Sequence, residues 1–202
     1  MPPKEFVIGD THFHCRNLIA TQSRPEDNDE RIIENWRRIV APEDVVYHLG
    51  DLAYGTNASV KDVAPELTGR KVLVLGNHDR RSPDFYRGLG FFVVVTQVRL
   101  PLDQRLEGLP SERELILTHE PLRKVWPGRV NIHGHTHFTE MQSLVPGDPY
   151  INVSADATQF CPVNMKEIRR RAVDILAQRS VIEQMEIIAT PEGPGEWNSL
   201  GR

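Results

Sequence analysis

Phe6-Val7-Ile8-Gly9-Asp10-Thr11-His12 decides the fold of this chain. A short apolar run of strand character is ended by a glycine, and an aspartate and a histidine follow at once. The arrangement then returns four times. Val45 to Leu49 runs into Gly50-Asp51, and Lys71 to Leu75 into Gly76-Asn77-His78-Asp79. Glu114 to Thr118 runs into His119, and Val130 to His133 into Gly134-His135-Thr136-His137. Each polar group falls in the loop just past the C-terminal end of a predicted strand. In open α/β sheets such loops converge on one ligand site.

Two further runs, Phe91 to Val95 and Tyr150 to Val153, read as strands. Helical spacing appears between strands. Asp29 to Val40 places Ile32, Ile33, Trp36, Ile39 and Val40 on one face, with Asp27 or Asn28 as N-cap and Pro42 beyond its end. Val60 to Leu67 is a shorter helix, and Asn164 to Gln178 a third, capped by Asn164 and basic across Lys166 to Arg171. Ser180 to Ile188 reads equally as its continuation or as a final strand. This order predicts an α/β domain with a large mixed sheet or two packed sheets and helices outside. One domain over residues 1–189 and a surface tail over 190–202 are expected. Leu102 to Glu114 is the one modest stretch for a cap or insertion.

Composition agrees. The chain has 202 residues, 39% apolar and 26% charged, and a chain of that length buries roughly 70% of its unfolded surface. A net charge of −4 gives no nucleic-acid signal. Two distant cysteines, Cys15 and Cys161, make no disulfide framework and suit a reducing, cytoplasmic setting. No apolar stretch approaches the ~20 residues of a membrane helix, and the first residues lack a signal-peptide pattern.

Five of the eight histidines fall in the repeated motifs. Asp10 and His12 are two apart, so on an extended segment both point the same way and reach one ion. His135 and His137 repeat that spacing. Asp51 offers two carboxylate oxygens that can bridge two cations, and Asn77 a neutral carbonyl. Asp, His and Asn together suit borderline divalent metals such as Mn, Fe, Zn and Ni.

The five motifs in this order, D-x-H, G-D, G-N-H-D, H and G-H-x-H, resemble the calcineurin-like metallophosphoesterase superfamily over Phe6 to about His137. Asp10-Thr11-His12-Phe13, Asn17-Leu18-Ile19, Asn35-Trp36, Val46 to Asp51, Asn152-Val153 and Pro162-Val163 further resemble a small group of bacterial and phage phosphoesterases. The resemblance implies a four-layer αββα sandwich of two mixed sheets flanked by helices. It implies two divalent ions per chain, manganese first, with iron, zinc or nickel as alternatives. Asp10, His12, Asp51 and His137 would hold one ion, and Asp51, Asn77, His119 and His135 the other, with Asp51 bridging. His78, aided by Asn77 and Asp51, would carry the catalytic step, and a hydroxide shared by the two ions would attack phosphorus.

The implied activity is hydrolysis of phosphate esters, phosphodiesters first, on a small-molecule or nucleotide substrate. Phosphomonoesterase or nucleotide phosphatase activity is the alternative within the class. A non-catalytic binding scaffold of the same fold is the alternative outside it. Protein serine/threonine phosphatases carry Asp-Arg-Gly after the Gly-Asp motif, whereas Gly50-Asp51 here runs into Leu52-Ala53-Tyr54-Gly55. His14 departs from the phage and bacterial pattern, which has glycine there and histidine where this chain has Cys15. His14, Arg16, Asn17 and Arg80 are candidate substrate contacts, and guanidinium suits phosphate oxygens. Asp79 is expected to orient a histidine, and His48 and His133 are expected to be structural.

Overall fold

The structure, a computed structural model, describes residues 2–102 and 112–189. Most of Leu102 to Glu114 and all of the 190–202 tail lie outside the described residues.

Among the described residues nine strands form two mixed sheets. The first holds β1 (Glu5–Ile8), β2 (Val45–His48), β3 (Arg70–Val74), β4 (Phe91–Val95) and β9 (Val163–Asn164) in the order β4-β3-β2-β1-β9. All its pairings are parallel except β1 with β9. The second holds β5 (Val98–Pro101), β6 (Glu114–Leu117), β7 (Arg129–His133) and β8 (Tyr150–Asn152) in sequence order, with β5 antiparallel and the rest parallel. Helices α1 (Arg16–Thr21), α2 (Asn28–Ile39), α3 (Asn57–Val63), α4 (Pro83–Arg87) and α5 (Met165–Ala189) complete the fold. This is the α/β architecture of two mixed sheets flanked by helices.

Alternation along the strands of the first sheet builds two cores. Phe6, Ile8, Val46 and Leu73 face one way and pack with Ile32 and Trp36 of α2, Val60 and Val63 of α3 and Tyr86 of α4. Val7, Tyr47, Val72 and Val74 face the other way, against Leu115, Leu117, Val130, Ile132 and Ile151 of the second sheet. Met165, Ile168, Ala172, Ile175 and Leu176 bring the apolar face of α5 into this second core. Trp36 is fully buried, and its indole N–H donates to Thr68 O at 2.9 Å, so burial leaves no donor unpaired.

All seven strands legible in the sequence are present. β5 and β9 were not anticipated, because β5 is a half-exposed edge ending in Pro101 and β9 is only two residues long, defined by its pairing with β1. The helix expected over Val60 to Leu67 begins earlier, at Asn57, and passes into a 3-10 turn at Ala64–Glu66. Pro65 lacks the N–H that a continuing α-helix requires. Ser180 to Ile188 continues α5. Asn164 Oδ1 accepts the Lys166 N–H at 2.9 Å at the start of that helix. Among the described residues, no helix is long and apolar enough to cross a membrane.

Candidate metal centre

The loops after β1, β2, β3, β6 and β7 meet at one end of the two sheets. Gly9 N–H donates to Val153 O at 2.7 Å and Ala155 N–H to Gly9 O at 2.8 Å, lacing the end of β1 to the segment after β8. His135 N–H donates to Asp10 Oδ2 at 2.8 Å, and Gly134 N–H to His119 O at 2.9 Å. The ends of both sheets are thereby tied together around a small set of polar side chains.

These side chains form two clusters. Asp10, His12 and His137 present oxygen and nitrogen atoms within 4.8 Å of one another, and so do Asp51, His119 and His135. Asp51 lies between them, its Oδ2 3.3 Å from His12 Nε2 and 3.5 Å from His119 Nε2. Asn77 Oδ1 is 2.9 Å and His135 Nδ1 3.1 Å from that same His119 nitrogen. His78 stands exposed at the rim. Its backbone N–H donates to Asp51 Oδ1 at 2.8 Å, and its ring centre is 5.4 Å from that of His12.

The donor set fits divalent metal. His119 Nδ1 lies 2.8 Å from Leu49 O, which can only accept, so Nδ1 carries the proton and Nε2 turns a lone pair inward. His137 Nδ1 likewise donates to Asp156 Oδ2 at 2.8 Å, leaving Nε2 free 3.9 Å from Asp10 Oδ1. Asp10 Oδ1 and both ring nitrogens of His12 are buried without a hydrogen-bond partner among the described residues. A buried polar atom left unpaired costs about 1–3 kcal/mol, whereas lone pairs converging from Asp, His and Asn are what borderline divalent ions bind.

Charge follows the same geometry. Burial, reinforced by the Asp51 and Asp156 charges, drives the Asp10 carboxyl well above the usual carboxylate range despite the His135 N–H, and a cation would reverse this. Burial also pushes Asp51 upward, but the nearby His12 and His119 rings and the hydrogen bond from the His78 N–H outweigh it and hold Asp51 at about 2. Burial lowers His12, partly offset by Asp51.

The backbone is strained in the same place. Among the described residues nine non-glycine residues have positive φ. Six of them are Asp10 (53°), His12 (46°), His14 (64°), Asp51 (53°), His135 (67°) and His137 (53°). Such conformations persist where surrounding contacts over-determine them. This corrects the expectation that Asp10 and His12 share an extended segment: left-handed turns, not strand alternation, bring them together. The motif glycines have a packing reason. A Cβ on Gly76 would stand 2.2 Å from Asp51 Oδ1, and one on Gly134 2.0 Å from Asp10 Oδ2.

Neighbouring groups hold this arrangement. Asp79 accepts N–H donors from Asp51 (2.7 Å), Leu52 (3.2 Å) and Gly76 (2.9 Å), and the Tyr86 hydroxyl at 3.4 Å. It therefore orients the backbone of two motif loops, where a histidine had been expected as its partner. Thr11 Oγ1 donates to Leu52 O at 2.8 Å and so accepts from His48 Nε2 at 2.9 Å. Burial lowers His48 to about 3, which keeps it a neutral structural ring. His133 Nδ1 donates to Gly134 O at 2.8 Å.

Sequence reading missed Asp156 and Arg24. Arg24 is buried; its Nε and Nη2 donate to the Asp156 carboxylate at 2.8 and 2.7 Å, and it also donates to Asp10 O at 2.7 Å and Thr11 O at 3.0 Å. Burial raises Asp156, but His137 and Arg24 together bring it down to about 2. Neither residue stands in a patterned motif, so no local signal marked them. Of the remaining candidates, His14 turns to Asp29, its N–H 2.7 Å and its ring Nδ1 3.9 Å from Asp29 Oδ2. Arg16 and Asn17 open α1 as exposed residues, and among the described residues no hydrogen bond or ion pair joins them to the two clusters. Arg80 lines a cavity beside His78.

Comparison with known proteins agrees with this geometry. The sequence profile of the calcineurin-like phosphoesterases matches residues 6–145. The uncharacterised protein MJ1445 of Methanocaldococcus jannaschii is 29% identical over 178 residues, spanning 80% of this chain and 87% of that protein. The gene 66 protein of Mycobacterium phage D29 is 30% identical over 175 residues, spanning 74% and 85%. Among solved structures, a protein of unknown function from Aquifex aeolicus, AQ665, shares the fold. Its TM-score is 0.64 at 23% identity, covering 83% of this chain and 98% of that one.

Proposed function

The chain belongs to the calcineurin-like phosphoesterase family, and from that premise we propose that it hydrolyses phosphate esters, phosphodiesters first, at a centre of two divalent ions. The observation that carries this reading is the position of Asp51, within 3.3 Å of a His12 nitrogen on one side and 3.5 Å of a His119 nitrogen on the other. In the proposed assignment Asp10, His12, His137 and Asp51 hold one ion, and His119, His135, Asn77 and Asp51 the other. Two such ions supply positive charge to clamp a phosphoryl group and make hydroxide available near neutral pH.

The chain's own residues do the rest. His137 is fixed in one tautomer by Asp156, and His119 by Leu49 O, so each presents a ready lone pair without reorganisation. Asp51 keeps its negative charge at neutral pH and accepts the His78 N–H, which sets the His78 ring at the exposed rim. From there His78 is placed to give a proton to the departing ester oxygen, a contribution of about 10²–10⁴-fold in rate. Manganese leads among the metals, with iron, zinc and nickel suited by the same donors. One compact domain over residues 1–189 is part of the same proposal.

The test is hydrolysis of bis-p-nitrophenyl phosphate beside p-nitrophenyl phosphate by protein stripped of metal and reloaded with Mn, Ni, Zn or Mg. Metal-dependent turnover favouring the diester supports the proposal. Turnover of the monoester alone moves the assignment to a phosphomonoesterase, and a chain that binds no metal is a scaffold.

A further inference from the structure

A cavity of about 280 Å³ opens beside His78, at the C-terminal ends of β2 and β3. Tyr54, Val60, Arg80, Arg81 and Tyr86 line it together with His78. In a chain of net charge −4, this wall carries two guanidinium groups and, among the described residues, no carboxylate. Two acids touch its lining from beneath: Asp51, which accepts the His78 N–H at 2.8 Å, and Asp79, bonded to three backbone N–H groups and the Tyr86 hydroxyl; both are buried. Their oxygens are engaged by the backbone N–H groups of the motif loops.

The arginines are held but not used up. Arg81 Nε donates to Asn57 Oδ1 and Nη2 to Gly55 O at 3.4 Å, while Nη1 takes no partner among the described residues. Among the described residues Arg80 spends only Nε, on Asn77 O at 3.5 Å. Guanidinium groups with free N–H donors beside an open cavity suit the oxygens of a phosphate. The His78 ring separates the cavity from the metal clusters, 5.4 Å from the His12 ring on one side and 6.2 Å from the exposed Tyr54 ring on the other. A substrate phosphate at the clusters therefore has a basic pocket across the His78 ring. The volume lies at the low end for ligand sites and suits one substituent, not a whole cofactor.

We infer that this cavity is a second-phosphate subsite, and that the substrate is a phosphate ester carrying another phosphate on the same sugar. The inference rests on the proposed phosphoesterase reading and narrows its substrate class. Hydrogen bonds to charged groups are worth enough to give about ten-fold in affinity per phosphate engaged.

The experiment compares thymidine 3′,5′-bisphosphate with thymidine 3′- and 5′-monophosphates as inhibitors of bis-p-nitrophenyl phosphate turnover by the manganese-loaded protein. The bisphosphate should inhibit at least about ten-fold more tightly than either monophosphate. Arg80→Ala and Arg81→Ala should each shrink that ratio, and the double variant should bring it close to one. Equal inhibition in the unaltered protein, or a ratio that survives the double substitution, overturns the inference. If the protein turns over no ester, the phosphoesterase reading itself has failed. Calorimetric affinities for the same three compounds, in the unaltered and doubly substituted protein, then decide the subsite separately.

Discussion

Asp156 Oδ2 lies 2.8 Å from His137 Nδ1, and Arg24 Nη2 meets the same oxygen at 2.7 Å. A buried guanidinium thus fixes the carboxylate, the carboxylate fixes the imidazole, and the imidazole turns its other nitrogen toward Asp10. Chains of this kind raise the basicity of a metal-binding histidine and lock its orientation.

Asp156→Asn should therefore weaken metal binding without unfolding the chain. The amide can still accept from Arg24 but carries no charge to support His137. Affinity for one of two ions should fall about 10–100-fold, measured by calorimetric manganese titration, with the second ion less affected. Equal affinity in variant and parent would remove Asp156 from the metal centre.

Asp51→Ala should disturb both ions at once, because this carboxylate faces both clusters. Elemental analysis after manganese loading should find well under two ions per chain. Retention of two would sink its bridging assignment.

His78→Ala should leave metal content intact and lower kcat on a phosphodiester by about 10²–10⁴-fold. Only the backbone N–H of His78 bonds to Asp51, and alanine keeps that group. Loss of metal on substitution would make His78 a ligand instead.

Gly134→Ala should act as a site mutation hidden in a loop. Its Cβ would come within 2.0 Å of Asp10 Oδ2, so either Asp10 or the 134–137 turn must move. Metal affinity should drop while the far-ultraviolet circular dichroism stays that of the parent. A fully metal-competent variant would show that the loop can yield at no cost.

Asp44 offers a pH test away from the metal centre. Its buried carboxylate accepts the Lys4 N–H at 2.7 Å and the Ala41 N–H at 3.0 Å. Burial alone would raise its pKa, but those two bonds outweigh it and hold the group below the usual range. A pKa depressed in the folded state means stabilisation present above the unfolded value of about 3.9 and lost as pH falls through the folded value. Asp44→Asn should cost about 2 kcal/mol near pH 7, and the gap to the parent should narrow below about pH 4. A pH-independent gap in thermal denaturation would contradict this.

Much of the protein was legible along the chain because its information is local. Strand runs such as Val45 to Leu49 announce themselves by residue type, and α2 by the spacing of Ile32, Trp36 and Ile39. The edge strand β5 and two-residue β9 were not legible, since pairing alone defines them. The same division runs through the candidate site. Asp10, His12, Asp51, Asn77, His78, His119, His135 and His137 sit in short motifs after strands, so their residue types and order marked them.

The sequence by itself determined the strand–loop order, the donor types and the family. Each depends on neighbours a few residues apart. Tertiary structure alone decided that Asp51 stands between two clusters, that left-handed turns aim Asp10 and His12, and that Arg24 holds Asp156 across 132 residues while Asp156 braces His137 across 19. The physical reason is that hydrogen bonds and charges act through space over a few ångströms, and only folding brings residues so distant in the chain within that range.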